Sequence, residues 1–140
     1  MSNQGSKSNK NGENLECSVI RSLKKAGWDA EKNTKPLGLA LTGKLIIPDI
    51  VAKLGNRVLY IECKSNSPQD GSIHEKWLYA VHKISIVANT QGGSAVMVLD
   101  DQSRKLGQFI DRVIRVEGKS KHVLVYTLEE FEEQCRMRGV

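Results

Sequence analysis

Residues 46–64 read Ile-Ile-Pro-Asp-Ile-Val-Ala-Lys-Leu-Gly-Asn-Arg-Val-Leu-Tyr-Ile-Glu-Cys-Lys, and this stretch decides the fold. Two apolar runs, residues 45–54 and 58–63, are rich in Val, Ile, Leu and Tyr. Between them lie Gly55 and Asn56, a dipeptide that favours a tight hairpin turn. The pattern therefore predicts two antiparallel strands joined by this turn.

Three charged residues interrupt the apolar runs of the hairpin: Asp49 on the first strand, and Glu62 and Lys64 on the second. Residues two apart on a strand project from the same face, so Glu62 and Lys64 share a face that Asp49 also reaches. A buried charge is costly unless it is paired or binds a metal. Two carboxylates and an ammonium at a sheet edge indicate a site for a hard divalent cation and a phosphate. The alternative is a solvated hairpin face.

The pair Pro48-Asp49 followed by Glu62-Cys63-Lys64 resembles the signature of the PD-(D/E)XK nuclease superfamily. That group includes restriction endonucleases, archaeal-type Holliday junction resolvases and DNA repair nucleases, and the resemblance covers residues 12–100. It implies an α/β fold with a restriction-endonuclease-like core, in which α-helices flank a mixed central β-sheet. It also implies that Asp49, Glu62 and the backbone carbonyl of Cys63 are metal ligands. Lys64 would orient or activate the attacking water and offset the phosphate charge.

The implied metal ligands are all hard oxygen atoms, which favour Mg²⁺ over Zn²⁺. Mn²⁺ is expected to substitute for Mg²⁺. The three cysteines, Cys17, Cys63 and Cys135, form no CxxC pair, so neither a zinc site nor a disulfide framework is expected. Cys63 should face the core side of its strand, opposite Glu62 and Lys64.

The first predicted helix runs from Gly12 or Glu13 to Ala26 and ends at Gly27. Its apolar residues form one stripe, and Glu16 lies inside that stripe. In the superfamily an acidic residue on the first helix often joins the metal site, and Gly12 followed by Glu16 resembles the start of archaeal-type resolvases. Glu16 is therefore expected to contribute to catalysis and metal binding. The alternative is an ion pair with a neighbouring lysine.

After the hairpin, the pattern predicts helices and strands that alternate along the chain. In order, they are a helix from the Ser72–Glu75 capping box to Asn89, a central strand at 94–99, a short helix at 103–112, a short strand at 113–116, a turn at 118–120, a strand at 123–126 and a terminal helix opened by Thr127 and Glu130. Residues 1–12 are polar and are predicted to form a disordered tail. Residues 13–140 then form a single nuclease domain.

The formal net charge of +5 modestly favours a polyanionic partner. No apolar run reaches membrane-spanning length and the N-terminus is polar, so a cytoplasmic protein without a signal peptide is expected. In resolvase-like relatives a Ser or Thr before the hairpin contacts phosphate, and Thr34 and Thr42 are equal candidates for that contact. The residues that flank the predicted site and are expected to contact DNA are Lys35, Lys44, Gln69, Ser72 and Lys76.

The resemblance makes a Mg²⁺-dependent DNA endonuclease the leading function, with site-specific cleavage like that of restriction or homing enzymes. Because a double-strand cut needs two active sites, a homodimer or higher assembly is expected. One alternative is a structure-selective Holliday junction resolvase, and another is a non-catalytic DNA-binding domain of the same fold. Asp49, Glu62 and Lys64 argue against a binding domain, which does not need that buried triad.

Overall fold

A five-stranded mixed sheet forms the centre of the structure, a computed structural model that describes residues 3–65, 73–100 and 107–140. The elements in chain order are α1 (Asn3–Lys25), β1 (Asp29–Lys32), β2 (Gly38–Leu39), β3 (Leu45–Ile46), β4 (Ile50–Leu54), β5 (Arg57–Lys64), α2 (Ile73–Gln91), β6 (Ser94–Leu99), α3 (Gly107–Phe109), a π-helical segment (Ile110–Ile114), α4 (Arg115–Ser120), β7 (Val123–Thr127) and α5 (Leu128–Arg136). The large sheet has the order β1-β4-β5-β6-β7, and β2 pairs with β3 separately. β1, β4 and β5 are antiparallel, whereas β5, β6 and β7 are parallel. The predicted mixed sheet flanked by helices is confirmed.

Helices cover both faces of the sheet because side chains alternate along each strand. On β5, Leu59 and Ile61 pack in a core formed with α1 and α5. Tyr60 packs on the opposite face, in a core formed with α2. Glu62 and Lys64 have the same parity as Tyr60 and therefore project toward the α2 face. Within the described ranges, no helix is long and apolar enough to span a membrane.

The predicted hairpin is confirmed, but its first strand is shorter than the apolar run. Leu54 pairs with Arg57 across the turn, and Gly55 has a φ of 59° that suits glycine. Residues 45–46 belong to β3, and the chain passes through Pro48 before β4 begins at Ile50. Proline has no backbone N–H to donate to a ladder, so the run breaks there.

Helix α1 begins at Asn3, earlier than the expected start at Gly12 or Glu13. Residues 3–12 are therefore helical, which corrects the expectation of a disordered tail at 1–12 for this part of the segment. Each residue added to an existing helix gains a backbone hydrogen bond, and no proline interrupts the segment. The end of the helix agrees with the prediction, since Gly27 follows with a φ of 94°.

The segment before β7 differs from the prediction, because residues 113–116 are helical and not a strand. Gly118 also lies in helix α4 and not in a turn. Buried positions recur every four residues at Ile110, Ile114 and Gly118, which is a helical period. The β-branched residues around Ile114 have a local preference for a strand. Packing of this segment against α2 and β7 stabilises the helix instead.

Gly118 lies where α4 crosses β7, and this close approach gives a testable prediction. A Cβ atom at Gly118 would lie 2.7 Å from the carbonyl oxygen of Val123 and 2.8 Å from Cγ2 of Val125. We expect Gly118→Ala to lower the free energy of unfolding by about 1–3 kcal/mol through overpacking. Gly107→Ala is the control, because among the described residues no atom lies within 4 Å of its added Cβ. Urea unfolding measures both, and equal losses would contradict the close-packing argument.

Candidate active site

The register of the hairpin brings Asp49 beside Glu62. Ile50 pairs with Ile61, so the residues that come next in the ladder, Asp49 and Glu62, lie opposite each other. The backbone N–H of Cys63 donates a hydrogen bond of 2.8 Å to Oδ2 of Asp49. The Asp49 carboxylate is therefore held across the strand boundary by the backbone of β5.

Glu62 is the buried acidic partner in this pair, with only 5% of its surface exposed. Burial, the negative charge of Asp49 and a hydrogen bond to Asp49 raise the pKa of Glu62 well above its ordinary value of 4.5. The positive charges of Lys64 and Lys83 act in the opposite direction on the same pKa. Two carboxylates in contact at low exposure favour either a shared proton or a cation between them.

Lys83 is a second lysine near Glu62, and it reaches the site from α2. Its Nζ lies 5.0 Å from the centre of the Tyr79 ring, one helical turn earlier. The Tyr79 hydroxyl and Oγ1 of Thr42 share a hydrogen bond of 3.0 Å, which ties this flank of α2 to the loop between β2 and β3. Thr42, a candidate for phosphate binding, thus has a partner on α2. Sequence analysis does not identify Lys83 as a site residue. The helical period shows which residues share a side of α2, but not which other element lies against that side.

Glu16 reaches the opposite side of β5, where the Cys63 side chain packs. The Cys63 side chain lies on the α1 and α5 face, as expected. Burial comes first among the causes that raise the pKa of the Cys63 thiol, followed by the charges of Asp49, Glu16 and Glu62. Glu16 also forms an ion pair of 3.8 Å with Nζ of Lys32. The structure thus places Glu16 close to the site together with a neighbouring lysine, and its role as a ligand stays a prediction.

The oxygen atoms around Asp49 and Glu62 fit a hard divalent cation. The N–H and C=O of one strand residue point toward the same neighbouring strand, so the Cys63 carbonyl faces β4 as its N–H does. Over residues 3–65, 73–100 and 107–140, no group of three or more His, Cys, Asp or Glu side chains suits a metal ion. A backbone oxygen is therefore the third donor that this arrangement offers, and a cation would relieve the repulsion between the two carboxylates.

Three of the five residues predicted to contact DNA lie in the part of the chain that the structure describes. Lys35, Lys44 and Lys76 are exposed, whereas Gln69 and Ser72 lie outside the described residues. A cavity of about 450 Å³ lies on the α2 face of β1 and β4, and Val51 and Tyr60 are among its lining residues. The charged residues that line it are Lys32, Lys35 and Lys53, together with Asp29 and Glu31. The structure therefore places Lys35 in a cleft that Val51 and Tyr60 of the hairpin also line.

Comparison with known families identifies the chain's relatives. Residues 7–124 of the 140 match the family model described as archaeal Holliday junction resolvase (Hjc). The chain belongs to the Hjc family. This membership confirms the resemblance to the PD-(D/E)XK superfamily that the hairpin motif indicated. No curated protein matches the sequence of this Hjc-family chain.

Solved structures resemble the fold of this Hjc-family chain at low sequence identity. AF1548, a protein of unknown function, has a TM-score of 0.51 and 16% identity over 81% of this chain and 57% of its own. Pyrococcus furiosus SfsA, in complex with Ca²⁺, has a TM-score of 0.50 and 16% identity over 89% of this chain and 55% of its own. The small subunit R.BspD6I2 of the heterodimeric restriction endonuclease R.BspD6I has a TM-score of 0.49 and 17% identity, over 89% and 69%. This chain spans little more than half the length of AF1548 or SfsA, and the likeness shows the fold alone.

The raised pKa of Glu62 predicts how the stability of the metal-free protein depends on pH. The folded state binds the Glu62 proton more tightly than the unfolded chain, so this contribution to stability is full below about pH 4.5. It is lost as the pH rises through the pKa of Glu62 in the folded state. Glutamine cannot ionise, so Glu62→Gln should gain stability relative to wild type as the pH rises through that window.

Urea unfolding in EDTA at a series of pH values measures this difference in the free energy of unfolding. The same substitution at exposed Glu31, on β1, is the control, because it removes a carboxylate without touching the buried pair. If the difference between wild type and Glu62→Gln did not change with pH, the argument that burial keeps a proton on Glu62 would fail.

Proposed function

We propose that this Hjc-family protein is a metal-dependent endonuclease that hydrolyses phosphodiester bonds in branched DNA. The observation that carries the proposal is the contact between Asp49 and buried Glu62, with Lys64 on the same face of β5. A binding surface has no need of two carboxylates in contact, since they repel both each other and a phosphate. The family match over residues 7–124 supports a four-way junction as substrate in preference to a site in unbranched duplex.

The proposed cofactor is Mg²⁺, held by the carboxylates of Asp49 and Glu62 and the backbone carbonyl of Cys63. Glu16, on the other side of β5, would hold a second ion or a metal-bound water. When bound, the ion supplies positive charge that offsets the negative charge of the phosphate. The hydrogen bond from the Cys63 N–H to Asp49 orients one of these carboxylates before any ligand arrives.

The lysines of the site perform the remaining steps of the proposed reaction. Lys64, two residues after Glu62, orients the attacking water and offsets charge on the phosphate. Lys83, whose charge acts on Glu62 from α2, adds a second cation to the same face. Tyr79 packs against the Lys83 ammonium and helps to hold this cation in place.

The surroundings of the site supply the proposed contacts to DNA. Lys35 in the cleft along β1 and β4, with exposed Lys44 and Lys76, would contact phosphates, and Gln69 and Ser72 are assigned to the same role. Two strands must be cut to resolve a junction. We therefore propose a homodimer in which each copy contributes one active site, which sedimentation analysis tests.

Cleavage of a four-way junction tests the proposal, with an unbranched duplex of the same sequence beside it. We expect the junction to be cut in Mg²⁺ or Mn²⁺ and not in EDTA. Lys64→Ala should reduce the rate on the order of 10²–10⁴-fold while junction binding persists, because positioned proton transfer and charge compensation are lost. Lys119→Ala is the matched control, since Lys119 precedes β7 and lies at the opposite end of the parallel strands from Lys64.

The other functions predict different results in the same assay. Cutting of the unbranched duplex at defined sequences would replace the resolvase with a site-specific, restriction-like enzyme. Tight binding without cleavage in any metal would indicate a DNA-binding domain of the same fold. Cleavage at an undiminished rate by Lys64→Ala would overturn the assignment of the active site.

A further inference from the structure

Asn33 contacts the two residues of the Pro48-Asp49 motif through successive carbonyl groups. It follows β1 directly, and its backbone N–H donates a hydrogen bond of 3.0 Å to the carbonyl oxygen of Asp49. Its side-chain Nδ2 donates a hydrogen bond of 3.0 Å to the carbonyl oxygen of Pro48. One residue at the end of β1 therefore holds the peptide groups on both sides of Asp49.

The Asn33 side chain is locked in this orientation by its own turn. Its Oδ1 accepts a hydrogen bond of 3.3 Å from the backbone N–H of Lys35, and its Nδ2 donates a second bond, of 2.8 Å, to the carbonyl of Lys35. Asparagine side chains typically bond backbone groups two residues later in this way. An amide has two N–H donors, and both are used on carbonyl oxygens here. The opposite orientation of the amide would place Oδ1 against those two carbonyls.

The backbone at Asp49 needs such support because the strand is interrupted there. Pro48 has no N–H to donate, and β4 begins only at Ile50. The bond from the Asn33 N–H extends the ladder between β1 and β4 by one position beyond the Lys32–Ile50 pair. The side chain of Asn33 then supplies a bond to the carbonyl of Pro48. The Asp49 carboxylate is held from β5 by the Cys63 N–H, and its backbone is held from β1 by Asn33.

We infer that Asn33 is a positioning residue that fixes Asp49 as a metal ligand, an inference that rests on the proposed function. Asn33 does not touch the metal or the phosphate, and it acts through the backbone of the motif. Groups that orient a metal ligand matter to metal affinity or activity by roughly 10–100-fold. Removal of the Asn33 side chain should therefore weaken metal binding more than it lowers the rate at saturating metal.

Cleavage of a four-way junction as a function of Mg²⁺ concentration tests this inference. In Asn33→Ala, we expect the Mg²⁺ concentration for half-maximal rate to rise about 10-fold, with the rate at saturating Mg²⁺ returning toward wild type. Asn33→Asp keeps the size of the side chain and its acceptor but replaces the donor with an oxygen. It should weaken metal binding at least as much, because that oxygen faces the carbonyls of Pro48 and Lys35.

Asn89→Ala and Asn89→Asp are the matched controls, because Asn89 is exposed on α2. Their Mg²⁺ curves should superimpose on the wild-type curve. Melting temperatures of all variants separate a loss of positioning from a loss of folding. If Asn33→Ala is unfolded at the assay temperature, Asn33→Asp provides the same comparison.

Amide hydrogen exchange at Cys63 provides a second readout that needs neither metal nor DNA. The Cys63 N–H is bonded to the Asp49 carboxylate, so its exchange should be faster when Asp49 is no longer held. An unchanged Mg²⁺ curve together with unchanged Cys63 exchange overturns the inference and leaves the proposed function intact. If wild type does not cleave with any metal, the proposed function fails, and the exchange rate at Cys63 still decides whether Asn33 positions Asp49.

Discussion

Asp49 and Glu62 repel each other at a buried position, and the elements around the hairpin are arranged to offset that repulsion. The Cys63 N–H donates a hydrogen bond to Asp49, and the positive charges of Lys64 and Lys83 partly oppose the rise in the pKa of Glu62. These groups come from β5 and α2, so the repulsion is fully offset only when strand and helix are packed together. Burial strengthens each of these interactions because the local dielectric constant is lower than in water. The fold thus concentrates negative charge at one point and surrounds it with cations and an amide.

The elements that could be predicted from sequence are those whose signals are local. The Gly55-Asn56 turn and the apolar run of β6 need only neighbouring residues, and the capping box of Thr127 and Glu130 is present with both of its hydrogen bonds. Proline breaks the first apolar run at Pro48, and the separate pairing of the residues before it with β2 is visible only in the assembled structure. The β-branched residues at 113–116 favour a strand, whereas packing against α2 and β7 selects a helix.

Some residues of the candidate site can also be predicted from local sequence patterns, whereas others are recognised only from tertiary contacts. Asp49, Glu62 and Lys64 come together because a hairpin register and a period of two are both readable from sequence. The position of Glu16 inside an apolar stripe indicated its approach to the sheet, and the structure adds its pairing with Lys32. No sequence pattern indicates that Asn33 or Lys83 lies near the site. Their contacts cross from β1 and α2 to the hairpin, and only the assembled sheet shows them.

Cys63 lies between two residues of the candidate site, yet its side chain packs among the apolar residues beneath α1 and α5. Burial and the surrounding carboxylates keep its pKa high, so its sulfur stays protonated. The thiolate is the form that attacks electrophiles and that is oxidised to sulfenic acid. The Cys63 thiol is therefore expected to react slowly, although it lies at the centre of a charged cluster. The motif gains a small apolar side chain for packing, and that side chain stays a thiol and does not become a reactive thiolate.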